Sequence, residues 1–516
     1  MWEGSRQGSN SRRQIGVSII KPMSAFSSLV FTPAQVREFD RIAIEEVGIP
    51  GAELMTRAGR CVFDLARERY PVAQRWLVLC GAGNNAGDGY VVARLAAAAG
   101  FAVTVAALSD PHQLRGDAAA AWQEFQSAGG KVVPFSAGLC EPADLIIDAL
   151  LGTGLVRPVE GAWRSAIEAV NAAAVPVIAV DVPSGLCGLS GAALGAAVRA
   201  DITVTFIGRK QGLYLGAGPD HAGQVVFADL GVPAGRLRNV TPALRLFGAD
   251  DLATLLPPRP RSAHKGLFGH VLIVGGNHGM DGTARLAGEA AARAGAGLVS
   301  VATRPGNVAA VTAARPELMC RGIDSAADLE PLLERATVVA IGPGLGRDAW
   351  ATALLERILA VALPLVVDAD ALNLLAGRAL RRDDWVLTPH PGEAARLLGC
   401  PTSAVQADRL HAVTSLAARH GGVALLKGRG TLIARTGETP YVIDAGNPGM
   451  ASGGMGDVLT GIVAGLLAQS SATGHLAVTA AAAWLHARAA DEAASQGERG
   501  LLAGDLLGPL RRWLNP

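Results

Sequence analysis

The sequence predicts an α/β protein in which two parallel-sheet units follow one another along a chain of 516 residues. Three observations carry that expectation. Short apolar runs rich in Val, Ile and Leu alternate with Ala-rich segments, the pattern of buried parallel strands covered on both faces by helices. The alternation stops at a more polar, Pro- and Arg-rich stretch, LLPPRPRSAHKG at 255–266, and then restarts. At about 150 residues per domain the length allows two to four domains. The glycine signatures of the halves differ, so the units read as unrelated α/β domains with a boundary near 245–255 rather than as copies.

The N-terminus, MWEGSRQGSNSRRQIGVSIIKPM, is polar and basic and lacks the apolar stretch and small-residue site of a signal peptide. Residues 1–30 are expected to be a disordered extension, with Met23 a second candidate start. In the first unit, strands are expected at 76–80, 102–108, 144–150, 175–181 and 200–207, with helices such as 89–99 and 116–128 between them. In the second they fall at 270–276, 298–303, 336–343, 364–370, 385–390 and 423–428. Helices at 283–294, 404–420 and 454–468 fit between or after these.

Composition removes several function classes. Half the residues are hydrophobic and 18% are charged, which excludes a mainly disordered chain. A formal net charge of +1 gives no electrostatic case for nucleic acid or an anionic membrane as partner. No apolar run approaches the roughly 18 residues of a membrane span. The six cysteines are far apart with no CxxC pair, which points away from zinc and disulfides and towards a reducing cytoplasm. Only five lysines occur (Lys21, Lys131, Lys210, Lys265, Lys427). In so arginine-rich a chain, the compact ammonium ranks as a candidate functional group.

Three turns in the first unit carry chemistry. WLVLC runs into Gly81-Ala82-Gly83-Asn84-Asn85-Ala86-Gly87-Asp88-Gly89 and then a helix, which offers backbone N–H groups and a positive helix end to an anion. It is not the dinucleotide fingerprint GxGxxG, because Asn84, Asn85 and Asp88 crowd it with amide and carboxylate oxygens that suit a hard cation or hydroxyl groups. Asp148 through Gly152-Thr153-Gly154, and Asp181-Val-Pro-Ser184-Gly185, end two further strands. Each Asp alone is compatible with a helix cap. Together the turns converge where open parallel sheets bind ligands.

These motifs, GAGNNAGDGYVVARLA, DALLGTGL and DVPSGL, resemble the epimerase domain of the NAD(P)H-hydrate repair enzymes over roughly residues 30–245. The resemblance implies a Rossmann-like three-layer domain, 31–248, interconverting the R and S epimers of hydrated NADH and NADPH (NADHX and NADPHX). It also implies K⁺ held by Asn85, Asp148 and Ser184. The hydrate would contact Asn84, Asn85, Ala86, Gly87 and Asp88, then Gly152, Thr153, Gly154, Leu155, Val156, Arg157 and Pro158, and Asp181. Ala86 departs from the glycine often found there, which fits if φ is negative. The substrate's hydroxyl sits beside ring nitrogen N1. Its expulsion gives an iminium, and water re-added on the other face inverts the centre, which requires one acid/base group. Asp181 is the expected group. Lys210, in FIGRKQGLYLG, either lines that pocket or is a solvated loop lysine.

The second unit's most specific signal is Asn447-Pro-Gly-Met-Ala-Ser-Gly-Gly454-Met455-Gly456-Asp457, opening the apolar helix VLTGIVAGLL. Glycine amides at a helix start make an anion hole for a phosphoryl group, and an Asp there can take a hydroxyl proton. This GxGD arrangement resembles the ribokinase-like kinases. Lys427-Gly428-Arg429-Gly430-Thr431, Gly342-Pro343-Gly344-Leu345-Gly346 and Thr388-Pro-His390-Pro-Gly-Glu393 end other strands. His390 between two prolines reads equally as a ligand contact or a rigid turn. His264-Lys265-Gly266 supplies a further lysine after the linker.

With HKGLFGHVLIVGG, GTARLAGEAAARAGAGLVSVAT, PE at 316–317 and DADALN, these resemble the NAD(P)H-hydrate dehydratases over roughly 250–516. The resemblance implies a ribokinase-like domain, 249–516, that dehydrates the S epimer with Mg²⁺ while ADP becomes AMP, in a homo-oligomer. Ala284, Gly344, His390 and Asp457 would contact the hydrate, and Lys427, Gly428, Arg429, Gly430, Thr431 and Gly456 the nucleotide. Phosphorylating the hydroxyl turns a poor leaving group into phosphate, with Asp457 removing the proton and the 454–456 amides stabilising charge. The residues leave ADP against ATP open. The alternative is a small-molecule kinase of the ribokinase-like class, joined to a non-catalytic N-terminal binding module.

Overall fold

The structure, a computed structural model, describes residues 25–237, 239–470 and 474–515. The first half of the chain supplies β1 (Leu29–Phe31), β2 (Arg75–Cys80), β3 (Ala102–Ala107), β4 (Val132–Pro134), β5 (Leu145–Ala149), β6 (Val177–Val180), β7 (Ile202–Phe206), β8 (Arg209–Lys210), β9 (Gln224–Ala228) and β10 (Leu244–Leu246). The second half supplies β11 (His270–Val274), β12 (Leu298–Thr303), β13 (Met319–Gly322), β14 (Val338–Ile341), β15 (Leu365–Val367), β16 (Trp385–Leu387), β17 (Val423–Leu426), β18 (Thr431–Ala434) and β19 (Tyr441–Ile443).

Seven strands form an all-parallel sheet in the order β4-β3-β2-β5-β6-β7-β9. Along β2, Trp76, Val78 and Cys80 join the core under helices Gly51–Arg69, Asn84–Ala98 and Gly116–Ser127. Leu77 and Leu79 join the opposite core, beneath helix Gly161–Ala172. A strand buried on both faces must be apolar at every position, which is why WLVLC shows no alternation. The strand order reverses between β2 and β5, so the crevice at their C-terminal ends is where a ligand belongs. This is the expected three-layer Rossmann-like unit.

The second sheet runs β13-β12-β11-β14-β15-β16-β17 in parallel, then turns back antiparallel through β18 and β19. Its order reverses between β11 and β14. Helix Met455–Leu467 lies directly against helix Asp281–Arg293. A Cβ added at Gly461 would stand 2.1 Å from the Ala287 carbonyl oxygen, so only glycine allows this approach.

The two units are less separate than the sequence led us to expect. Beyond β19 the second sheet continues through β10, β1 and β8, all supplied by the first half of the chain. Val30, Leu213, Tyr214, Leu215 and Leu244 share one core with Leu345, Leu426 and Leu432 of the second unit. Each such buried side chain is worth about 1.5–3 kcal/mol, so this is a fused core and no tether. The expected disordered extension also needs correcting. Ala25–Ser28 form a 3-10 turn and Leu29–Phe31 a strand, because Phe31 is buried between Phe26 and Phe39; residues 1–24 lie outside the described residues. The helix expected over 404–420 is two, Thr402–Ala407 and Arg409–His420, broken where the Asp408 carboxylate turns to cap the second. No helix of the described residues is long and apolar enough to cross a membrane.

Candidate active sites

A cavity of about 810 Å³ opens at the switch point of the first sheet. Helix Asn84–Ala98 begins on its wall, where Asn84, Asn85 and Asp88 line it, and Gly152 through Arg157 form another side. Three expected contacts do not reach it. Ala86 is packed in the core, Gly87 lies against Met55, and Pro158 is absent from the lining. Ala86 sits inside the helix at negative φ, so an alanine there costs nothing.

Beneath the floor, Asp148 is wholly buried at the end of β5. Its Oδ2 accepts the Ser184 N–H at 2.8 Å and its Oδ1 the Ser184 hydroxyl at 2.5 Å. Burial pushes its carboxyl up to about 6, against the pull of those hydrogen bonds. Both polar atoms of the buried Asn85 amide lack a protein partner. An orphaned amide near a desolvated carboxylate and a hydroxyl is a donor set that fits a weakly charged hard cation. No cluster of three or more His, Cys, Asp or Glu suited to a metal occurs among the described residues, so this set carries one negative charge rather than several.

Asp181, just after β6, holds φ at 66°, an uncommon conformation for a non-glycine residue that aims its carboxylate into the cavity. Its Oδ1 accepts from the Thr205 hydroxyl and the Phe206 N–H, each at 3.2 Å, and from the Lys210 ammonium. Lys210 is buried and donates at 2.9 Å to the Phe206 carbonyl, which removes the solvated-loop reading of that lysine. Asp40, on helix Pro33–Arg41, lines the same cavity and carried no motif in the sequence.

The second site lies at the C-terminal ends of β14 to β17. Gly454 takes φ 87° to cap helix Met455–Leu467, which directs its first amides and Asp457 towards Lys427. A Cβ on Gly456 would be 3.4 Å from the Lys427 Nζ. Lys427 donates to Asp368 Oδ1 at 2.8 Å, and Thr460 donates to the other oxygen at 2.7 Å. Burial opposes the ammonium, but Asp368 and Glu393 outweigh it and hold the Lys427 pKa above its ordinary value. Burial, reinforced by Asp368, pushes Asp457 up to about 7. That is the range of a working general base.

His390 caps helix Pro391–Leu398, its Nδ1 accepting the Gly392 N–H at 3.0 Å while Glu393 accepts the His390 N–H at 2.8 Å. Its ring is half exposed, with Nε2 3.3 Å from Glu393 Oε1, so the capping role leaves one edge open to solvent. The Gly344 carbonyl accepts the Asn277 N–H at 2.6 Å, which ties the ends of β11 and β14 together. Ala284 is wholly buried beside Gly276 and presents no methyl to a ligand.

The turn at 427–431 divides. Lys427 faces Asp368, while Arg429 donates to the Gly446 carbonyl at 2.5 Å and lines a separate cavity of about 490 Å³. Gly428 packs on the buried Arg409 guanidinium, which donates to the Lys427 carbonyl at 3.1 Å, and Thr431 donates back to the Gly428 carbonyl at 2.8 Å. Gly430 leans on the Tyr214 carbonyl of the first unit. Asp368 and Arg409 escaped the sequence reading as site residues. Asp368 stood inside DADALN, but its partners are far away in sequence, and a buried arginine within a helix leaves no local pattern.

Comparison with known proteins finds a relative for each of the two units. The family described as NAD(P)H-hydrate dehydratase matches residues 271–511, and the YjeF-related protein N-terminus matches 51–212. A bifunctional NAD(P)H-hydrate repair enzyme of Coxiella burnetii is 48% identical, with 95% of this chain and 100% of that one covered. One from Escherichia coli K12 is 46% identical over 93% of each chain. A ribokinase-like superfamily protein from Enterococcus faecalis V583 matches in three dimensions with a TM-score of 0.50 and 33% identity, covering 53% of this chain and 96% of that one. The chain belongs to the family of bifunctional NAD(P)H-hydrate repair enzymes.

Proposed function

We propose that the first cavity epimerises R- and S-NADHX and NADPHX and that the second site dehydrates the S epimer at the expense of ADP. The observation that carries this is Asp457, tuned to about 7 at the start of a glycine-led helix and facing Lys427. In that setting a carboxylate takes the proton of the substrate hydroxyl as its oxygen attacks the terminal phosphorus of ADP, and AMP departs. The helix amides and the Lys427 ammonium neutralise the transferring phosphoryl group. Ring nitrogen N1 then expels phosphate, and the adjacent ring carbon gives up a proton to restore the dihydropyridine. Asp457, His390 and Gly344 are assigned to the hydrate, whereas Ala284, wholly buried inside its helix, is not. Lys427, Gly428, Arg429, Gly430, Thr431 and Gly456 are assigned to the nucleotide.

Mg²⁺ would arrive with the nucleotide, held chiefly by phosphate oxygens. In the first unit, Asn84, Asn85, Asp88, residues 152–157 and Asp181 are assigned to the hydrate. Asn85, Asp148 and Ser184 would hold K⁺, whose charge compensates the buried Asp148 carboxylate. The boundary between the units is placed at 248–249, with β1, β8 and β10 lent across it. Six unpaired cysteines fit a cytoplasmic setting, and a homo-oligomer is proposed on the family resemblance alone.

The test mixes purified protein with R- and S-NADHX, Mg²⁺, K⁺ and ADP and follows the return of reduced-nicotinamide absorbance. Complete recovery, faster than spontaneous epimerisation, is expected. Recovery that halts once the S epimer is consumed would remove the epimerase half. No recovery with ADP or ATP would overturn the whole reading.

A further inference from the structure

The first cavity holds more ionisable groups than a single-base epimerase uses. Asp40 is placed there by its helix. The Thr32–Gln35 capping box fixes the helix start, Val36 and Phe39 turn into the core, and Asp40 faces the cavity with Arg37 and Ile44. The helix follows β1, whose Phe31 is in register with Lys210 of β8, so the same strand pair carries both the helix with Asp40 and the lysine bound to Asp181. Asp40 and Asp181 therefore reach one cavity from different elements, one from a helix and one from the C-terminal end of the central strand β6.

Their surroundings differ in kind. Asp181 accepts three hydrogen bonds at Oδ1 and stands as an acceptor. The Asp40 carboxyl has no such set. Burial pushes it up to about 6, with Lys210 and Arg37 drawing it down and Asp181 raising it. Asp88, on helix Asn84–Ala98, is raised by burial too and faces the same cluster, while Arg157 and Asp117 line the outer cavity. A carboxyl held towards its protonated form beside one already engaged as an acceptor supplies an acid and a base to one cavity.

Inversion of the hydrate needs both at once. The C–O bond breaks as its oxygen receives a proton and leaves as water, and the N1 lone pair forms the C=N bond. A second water then attacks the opposite ring face, gives up a proton, and returns the electron pair to N1. We propose that Asp40 is a second catalytic carboxyl of this site, protonating the departing hydroxyl on one face of the ring while Asp181 accepts the proton of the water that adds to the other. The cycle ends with Asp40 ionised and Asp181 protonated, ready for the reverse epimerisation or for exchange with solvent. This rests on reading the first cavity as the epimerase site.

The test measures interconversion of R- and S-NADHX without ADP, by chromatographic separation, for the full chain and its Asp40→Asn, Asp40→Glu and Asp181→Asn variants between about pH 5 and about pH 8. Dehydration of S-NADHX with ADP on the same preparations reports on folding. Above the spontaneous rate, wild-type kcat/KM should fall as pH rises through about 6, because the acid must hold its proton. Asp40→Asn should lose about 100-fold or more and the limb itself, while dehydration is unchanged. Asp40→Glu should recover part of the rate with the limb displaced. Asp40→Asn activity within about threefold of wild type, or a loss with the limb unmoved, overturns the proposal. Should Asp40→Asn also lose dehydration, Asp40→Glu decides by whether its limb moves. If wild type does not exceed the spontaneous rate, the epimerase reading itself falls, a result distinct from any variant effect.

Discussion

Asp457 joins a functional gain to a structural cost. Its carboxyl is raised to about 7 from the ordinary 3.8, so the fold favours its protonated form. The stabilisation this gives is fully present below about 3.8 and is lost as pH rises through about 7. The proposed role in dehydration has the opposite sign, since a general base must be ionised, and the rate should rise through the same range. Asp457→Asn should therefore abolish dehydration by about 100-fold or more and leave epimerisation intact. It should also raise the melting temperature by a few degrees at alkaline pH, with little change in acid, measured by calorimetry at both. At the other site, Asn85→Ala removes the orphaned amide. Potassium chloride should stabilise wild type more than choline chloride does, and that difference should vanish in the variant, as read by thermal melting. Asp457, Asp181 and Lys427 were legible in the sequence because each stands in or beside a glycine-bearing turn, at a strand end for Asp181 and Lys427 and at a helix start for Asp457. Asp368 was not, because its meaning comes from Lys427 and Thr460, and Asp40 was not, because an acid on an amphipathic helix usually marks a solvated face.

Among the elements, helix Met455–Leu467 depends on closeness. It carries Asp457 in its first turn and is seated by the approach of Gly461 to the Ala287 backbone. A side chain at Gly461 collides with backbone, which cannot swing aside, so the helix itself must shift. Gly461→Val is expected to lower stability by about 1–3 kcal/mol and to cut dehydration more than tenfold while epimerisation persists, checked by denaturant melts and both assays. The central strands were legible because doubly covered parallel strands are apolar throughout. The short strands were not. β8 is two residues, and β1 and β10 are three each, too brief to show a period, and they are strands only because partners distant in sequence align them. The break at Asp408 was hidden for the opposite reason, since a capping Asp inside a helical pattern looks like one more polar position.

On the scale of the whole molecule, the two halves share a sheet and a core. A chain beginning at Ala249 would lose β1, β8 and β10, leaving the edge of β19 and the apolar face beneath Leu426 and Leu432 uncovered. Such a fragment should melt several degrees below the intact protein and self-associate, as measured by scanning calorimetry and light scattering. The twofold organisation was legible from the restart of the strand pattern after the linker. The shared sheet was not, because strand pairing across a chain of this length is a tertiary fact without local signature. It also sets an order of events on the ribosome. The N-terminal half is made first and can close its own seven-stranded sheet, yet β10 stays bare on one side until β19, the last strand among the described residues, has been translated. An unpaired strand edge recruits strands from other molecules. The brevity of β10, only three residues, limits how firmly a stranger could hold there while the nascent protein waits for its own partner.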